Sequence, residues 1–356
     1  MNYQHVCIES FGYTLPAERV TTAAIEQRLA PLYQRLRLPE GRLELMTGIR
    51  ERRFFPAGTK PGDVSQQTAA LAIEASEIAP ERFGALIHGS VCRDYLEPAT
   101  ACRVHHAAGL PAKCVIYDLS NACLGVLNGM VQLANMIELG QIEAGVVVGS
   151  ELGRPLVENT IAALNADLSL TRDSVKFAIA SLTIGSASVA AVLCHERLSR
   201  TGNKLVAATA GCDTSHHALC QSDGLAELMH TDSEELLKAG VATGAMVFDD
   251  FLATSHWQRP DIDQTFCHQV GVAHRKLMFE SLGLDTSIDY PTLAELGNTG
   301  SAALPITMAL GAERGVIATH PGRPTRIAML GIGSGVNSLM LAAEWNESKT
   351  AGQEWT

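Results

Sequence analysis

Apolar positions in this chain follow two periods. Short runs rich in β-branched and aliphatic residues read as buried strands: Cys114-Val-Ile-Tyr117, Gly145-Val-Val-Val-Gly-Ser150 and Ile327-Ala-Met-Leu-Gly-Ile-Gly333. Leu124, Leu127, Val131, Leu133, Ala134 and Ile137 recur instead at helical spacing, until Gly140 ends the run. Upstream, Val6-Cys-Ile-Glu-Ser-Phe-Gly12 predicts a first strand, and Thr21-Thr22 caps a helix toward Leu36 that Pro31 kinks or divides. The segment from Pro39 to Gly62 is loop-rich; Asp63 then caps an Ala-rich helix to about Ile78, and Gly84-Ala-Leu-Ile-His-Gly89 is the next strand. Alternation on this scale predicts an α/β fold, a mostly parallel sheet between helical layers.

The pattern repeats once. A helix of small residues from Cys123 leads to the strand Gly145–Ser150, and Asn298-Thr-Gly-Ser-Ala-Ala-Leu-Pro leads through a similar helix to Ile327–Gly335. Two related halves would bring both helix N-termini to one seam. The polar break Leu198–Asn203 between apolar strands puts the boundary there, giving units 1–198 and 199–356.

Composition narrows the classes. A chain of 356 residues can bury a large core, and 5% aromatic content with many small residues suits tightly packed layers. The net charge of −11 argues against nucleic acid and anionic membranes as partners. Neither a signal-like N-terminus nor an 18-residue uncharged apolar run occurs, so no integral membrane segment is expected. Nine cysteines without framework spacing read as reduced thiols of a cytoplasmic protein.

Cys123 stands where a strand turns into a helix, and a helix N-terminus favours a thiolate. For a lone cysteine the alternative is a small core hydrophobe. Three further stretches change the balance. Phe266-Cys-His268 puts a histidine just past an apolar segment; Glu295-Leu-Gly297-Asn298-Thr-Gly300 puts an asparagine in a glycine-rich turn; Gly331-Ile-Gly333-Ser334-Gly335 frees backbone to approach a ligand. Singly, these read as a satisfied core histidine, a helix-end turn and tight turns. Together they suit a nucleophile, a base, a hydrogen-bond donor and an oxyanion site. Cys212, His216, His217 and Cys220 have zinc-binding chemistry but lack a paired Cys-x-x-Cys or helical His frame, so no metal is expected. The apolar positions of Arg154–Ser181 suit core packing and the wall of an acyl tunnel.

Asp118–Gly125, His268-Gln269, Gly297-Asn298-Thr299, Gly331–Gly335 and Thr47-Gly-Ile-Arg-Glu-Arg-Arg53 together resemble the active-site blocks of thiolase-fold condensing enzymes of the ketoacyl synthase III type. Ser90-Val-Cys-Arg-Asp-Tyr-Leu-Glu97-Pro-Ala-Thr100 is similar to a block of the OleA family, which condenses acyl-CoAs head to head in bacterial olefin biosynthesis. The resemblance implies a five-layered αβαβα thiolase fold of two related halves, a homodimer, and no cofactor beyond CoA thioester substrates. It implies that Cys123 carries the first acyl group, while His268 and Asn298 bind the thioester carbonyl of the second. The backbone of Cys123 and of Gly333, Ser334 and Gly335 would hold the oxyanion. Glu97, reaching in from the neighbouring subunit, would remove the α-proton; without the resemblance it reads as a solvated loop carboxylate.

The implied reaction is a non-decarboxylative Claisen condensation of two fatty acyl-CoAs to a β-keto acid. The alternatives are a 3-oxoacyl synthase III-like enzyme using a malonyl or other dicarboxylyl thioester, and a non-catalytic acyl-binding subunit. Two departures from ketoacyl synthase III argue against an acyl-carrier-protein partner. Gly271 and Ala273 replace its asparagine and carrier-binding arginine, and Arg42 and Met46 stand for its nucleotide-gripping tryptophan and arginine. Arg42, Arg275 and Lys276 are the candidates for binding CoA phosphates.

Overall fold

The computed structural model describes residues 1–222, 228–268 and 270–355. The first half of the chain holds β1 (Val6–Pro16), β2 (Glu18–Thr21), α1 (Thr22–Arg28), α2 (Ala30–Leu36), α3 (Arg42–Thr47), β3 (Glu51–Phe54), α4 (Pro61–Ser76), β4 (Phe83–Gly89) and α5 (Thr100–Ala108). There follow β5 (Val115–Leu119), α6 (Gly125–Glu138), β6 (Ala144–Glu151), α7 (Arg154–Ala166) and β7 (Ala187–His195). The second half runs β8 (Lys204–Cys212), β9 (Cys220–Ser222), β10 (Met229–Thr231), α8 (Ser233–Ser255), β11 (Gln264–Cys267), α9 (Val272–Leu282) and α10 (Leu293–Leu296). It closes with α11 (Ala303–Glu313), β12 (Thr325–Gly333), β13 (Asn337–Trp345) and β14 (Thr350–Trp355).

Local chemistry explains several boundaries. The Thr21 hydroxyl caps α1 by accepting from Ala24 N at 3.1 Å, and Pro31 opens α2, so the proline divides rather than kinks the helix. Asp63 is not the cap of α4: the helix starts at Pro61, and Asp63 accepts from the Lys60 N–H at 3.0 Å from within the first turn. Proline at the first helical position moved the start upstream, since it has no N–H to satisfy.

The strand order is β11-β12-β13-β8-β1-β7-β6-β4-β5, with β14 added parallel to β1. The same order recurs on either side of the middle. From β1 the sheet runs through antiparallel β7 and β6 to parallel β4; from β8 it runs through antiparallel β13 and β12 to parallel β11. The β1–β8 junction is a single pairing, Cys7 with Lys204, so the sheet can fold over there.

Side-chain alternation then builds layers. On β7, Val189, Ala191 and Leu193 enter one core, and Ala190, Val192 and Cys194 enter another with α4 and α5. On β12, Ile327 and Met329 enter that first core, while Ala328 and Leu330 pack with α8 and α9. The shared core is filled by α6 and α11, the latter buried from Ala303 to Ala312. A helix apolar on all sides belongs in such a middle layer. The result is five layers, αβαβα. The apolar positions Val157, Ile161 and Leu164 of α7 pack with α1, α2, Val175 and Leu182 in a further cluster.

Candidate active site

Cys123 lies between the end of β5 and the start of α6, with Ala122 before it at φ 44. A non-glycine residue in the left-handed region is costly, and here it makes a sharp turn that presents the next side chain. The turn is tied down by Leu124 N–H to Asn121 O at 2.9 Å and by Asn121 Nδ2 to Asn128 Oδ1 at 2.9 Å. Gly333, ending β12, lies against it: a Cβ there would sit 3.2 Å from Leu124 Cγ and 3.5 Å from Cys123 N. The glycine loop is thus brought to the cysteine backbone, and Asn337 Nδ2 holds the loop by donating to Ser334 O at 2.9 Å.

The ionisation of Cys123 differs from the sequence expectation. Burial pushes the thiol up to about 12, and the charge of Glu151 adds to the shift, followed by Cys220. Helix α6 begins only at Gly125, so its terminal field does not offset the desolvation. Cys123 therefore rests as a thiol.

His268 follows β11, its N–H donating to Leu330 O of β12 at 3.1 Å. It is buried, and among the described residues neither ring nitrogen has a hydrogen-bond partner. Burial, and then the neighbouring His274, lower its pKa to about 3, so the ring is neutral and keeps a donor. His268, His274 and Gly331 line one small cavity of about 20 Å³. Gln269 lies outside the described residues.

Asn298 sits in a turn that only glycine could precede. Gly297 has φ +67, and a Cβ on it would meet Thr183 O at 2.7 Å. The turn is fixed by Asn298 N–H to Thr183 O and Gly185 N–H to Asn298 O, both 2.9 Å. Asn298 Oδ1 accepts from Gly300 N at 3.0 Å, which orients the amide and leaves Nδ2 to donate elsewhere.

Glu97 is not part of this group within one chain. It is exposed on a loop whose Leu96 is 92% exposed and Tyr95 52% exposed. Arg275 is committed: its Nε pairs with the buried Asp289 at 2.6 Å and its Nη2 donates to Thr286 O at 2.7 Å. Lys276 is exposed beside Glu280, and Arg42 is half-buried in α3 near the exposed Leu45 and Met46. Among the described residues no group of three or more His, Cys, Asp or Glu is placed to hold a metal, and no helix is long and apolar enough to cross a membrane.

Sequence reading missed Glu151 and His274. Glu151 had one available signal: it is a carboxylate directly after the apolar run Val146-Val-Val-Gly-Ser, where a buried strand delivers its last residue to the site.

Residues 252–345 match the C-terminal domain model of 3-oxoacyl-[acyl-carrier-protein] synthase III, and residues 45–154 match the thiolase N-terminal domain model. The chain is 40% identical to an acyl-CoA:acyl-CoA alkyltransferase of Shewanella oneidensis, covering 97% of this chain and 100% of the relative. It is 31% identical to one from Xanthomonas campestris at the same coverage. The crystal structure of cerulenin-bound Xanthomonas campestris OleA superposes with a TM-score of 0.92 at 31% identity, covering 97% of this chain and 98% of that one. A 3-oxoacyl-(acyl carrier protein) synthase III from Xanthomonas oryzae superposes with a TM-score of 0.91 at 31% identity, covering 97% and 100%.

Proposed function

The chain belongs to the thiolase-fold acyl-CoA:acyl-CoA alkyltransferases, the OleA family, and from that premise we propose how its residues perform a head-to-head Claisen condensation. Cys123 attacks the first fatty acyl-CoA; a new S–C bond forms, the bond to CoA breaks, and the thiol proton ends on the CoA sulfur. His268 and Asn298 then hold the thioester carbonyl of the second acyl-CoA, and Glu97 of the neighbouring subunit takes its α-proton. The carbanion attacks the acyl-cysteine, a C–C bond forms as the C–S bond to Cys123 breaks, and the leaving thiolate regains a proton equivalent to the one Glu97 removed, restoring both groups. Backbone N–H groups of Cys123 and the Gly333-Ser334-Gly335 loop hold the intermediate oxyanion. Hydrolysis of the product thioester yields the β-keto acid.

The observation that carries this reading is the state of His268. A buried, neutral imidazole whose nitrogens find no partner among the described residues is costly unless a ligand completes it. A neutral donor suits an enolate-like oxygen, because it stabilises developing charge without itself supplying a strong acid.

A homodimer is supported by two surfaces. Strand β5 ends the sheet order, with Val115 45% exposed, and the loop before α5 exposes Val91, Tyr95 and Leu96. A bare, partly apolar edge is where a second copy would add. Arg42 and Lys276 would meet CoA phosphates beside the exposed apolar Leu45, Met46 and Val272, while the pairing of Arg275 with Asp289 argues for a structural task for that residue. The division into halves 1–198 and 199–356 is supported by the recurring strand order. CoA thioesters rather than a carrier protein, no further cofactor, and a cytoplasmic location complete the proposal.

Incubation with a single long-chain acyl-CoA tests it. The expected products are free CoA and a β-keto acid of doubled chain length, without any malonyl thioester. Product only when a malonyl thioester is added would move the enzyme to the synthase III reaction. Absence of CoA release would make it a binding subunit.

A further inference from the structure

The loop that carries Glu97 joins β4 to α5, and a carboxylate of its own chain holds each of its two feet. At the front, Glu151 of β6 accepts from Val91 N at 3.0 Å through Oε1 and from Cys92 N at 3.3 Å through Oε2; Oε1 also accepts from Ser301 Oγ at 2.5 Å. At the rear, Asp118 of β5 accepts from Thr100 N through Oδ2 and from Ala101 N through Oδ1, both at 2.8 Å. Those two N–H groups open α5, where the helix end favours a negative charge. Thr100 carries the restraint into the loop. Its hydroxyl accepts from Asp94 N at 3.0 Å and closes the segment 94–100, with Glu97 at the midpoint.

Asp118 stands five residues before Cys123, so chain position alone would give it a task in the cysteine turn. Its contacts lie elsewhere. The turn is held by Leu124 N–H on Asn121 O and by Asn121 on Asn128, whereas both Asp118 oxygens serve α5. Behind the carboxylate, His88 Nδ1 lies 3.9 Å from Asp118 Oδ1, and the same ring's Nε2 is 3.1 Å from Ser65 Oγ of α4. Burial lowers the His88 pKa, so the ring is neutral and the charge of Asp118 is left to the helix end. Asparagine at this position could accept from one of the two N–H groups but would turn its own NH2 toward the other.

We propose that Asp118, acting through Thr100, is a positioning residue for the reaction in the neighbouring subunit: it sets the conformation in which the loop offers Glu97 across the interface. This rests on the cross-subunit role given above to Glu97. A general base works only within hydrogen-bond reach of the proton it removes. A loop that arrives in many conformations therefore slows condensation in the partner's site and leaves acylation there untouched.

Subunit mixing tests it, because mixing separates the chain that supplies the base from the chain that supplies the nucleophile. A mixed dimer of Cys123→Ala and Glu97→Ala subunits holds one composite site, with Glu97 from the first and Cys123 from the second. Asp118→Asn is added to one parent or to the other, at equal subunit ratio. Native mass spectrometry checks exchange, thermal melting checks folding, and peptide mass spectrometry follows acylation of Cys123. On the Cys123→Ala subunit, which supplies Glu97, Asp118→Asn should lower condensation about tenfold or more relative to the same change on the Glu97→Ala subunit. Acylation of Cys123 should be equal in the two mixtures. The converse dependence, or an equal loss in both, overturns the proposal, since Asp118 would then serve the cysteine turn or the stability of the chain. Undiminished condensation in both overturns it as well. If Asp118→Asn does not fold, Thr100→Val, which keeps the N–H and removes the hydroxyl, decides by the same asymmetry. No condensation in the mixture with Asp118 intact, despite verified exchange, overturns the cross-subunit reading of Glu97 and this proposal with it. An active mixture with the wrong dependence overturns this proposal alone.

Discussion

The cysteine turn and the Glu97 loop have opposite constructions. Around Cys123 the chain encloses its own site: Asn121, Asn128 and Asn337 are hydrogen-bonded, the β12 glycines pack against Leu124, and the thiol is desolvated. The loop before α5 is held at its base by Glu151 and by Asp94, which accepts from Gly62 N at 2.7 Å, and nearer its tip by Lys60, which donates to the Tyr95 hydroxyl. Its tip presents Tyr95, Leu96 and Glu97 to solvent. In the proposed mechanism one chain therefore completes the acyl-transfer half of the reaction and leaves the proton-abstraction half on a surface. Under the proposed mechanism the nucleophile is an intramolecular product of folding, whereas the base would act only where two copies meet.

Breaking the enclosed half has the largest expected effect. Cys123→Ala should abolish both CoA release and condensation while leaving the melting temperature near wild type, since one sulfur is removed. Mass spectrometry of the acyl-CoA-treated wild type should place the adduct on Cys123; an adduct elsewhere that persists in Cys123→Ala would sink the assignment.

Breaking the exposed half should be selective. Glu97→Ala is expected to acylate normally but to condense on the order of 10²-fold more slowly, the usual loss for a general base. Mixing Cys123→Ala and Glu97→Ala subunits then sharpens the contrast. If the base crosses the interface, exchange restores roughly a quarter of wild-type activity, one intact site in half of the dimers. No recovery despite verified subunit exchange would put Glu97 to work in its own chain.

The smallest effect concerns what the enclosure costs. His268 and His274 have folded pKa values lowered by burial to about 3 and about 4 from the ordinary 6.5. Between those limits the unfolded chain binds more protons, so stability is present above pH 6.5 and is lost as pH falls toward the folded values. Each ring contributes a slope of about 1.4 kcal/mol per pH unit in that window. Denaturant melts of His268→Asn should show the slope between about pH 6 and 4 reduced by that amount. An unchanged slope would mean that His268 titrates normally.

Legibility from sequence followed how local each cause was. The Thr21 cap, the Pro31 break, the small-residue helices α6 and α11 and the glycine before Asn298 are set by neighbours a few residues away, and periodicity or residue type reveals them. The start of α4 was misplaced because Asp63 caps from inside the first turn as readily as it would from outside. Cys123 was recognised by its position, but its ionisation was not. The helix terminus is visible in sequence, while burial by the β12 loop and the charge of Glu151 come from segments far along the chain.

The sequence by itself determined the α/β alternation, the repeated helix-to-strand unit, and the identities of Cys123, His268 and Asn298 as the residues at element ends. Those depend on period and on residue chemistry, which no fold can change. Only the tertiary structure decided that β12 closes over the cysteine turn, that the His268 ring nitrogens have no partner among the described residues, that Arg275 is spent on Asp289, and that one carboxylate binds two distant loops. Burial and electrostatic contact are sums over neighbours in space. Residues 151 and 301 have no relation along the chain until the two sheets fold over the shared helical layer and bring them to 2.5 Å.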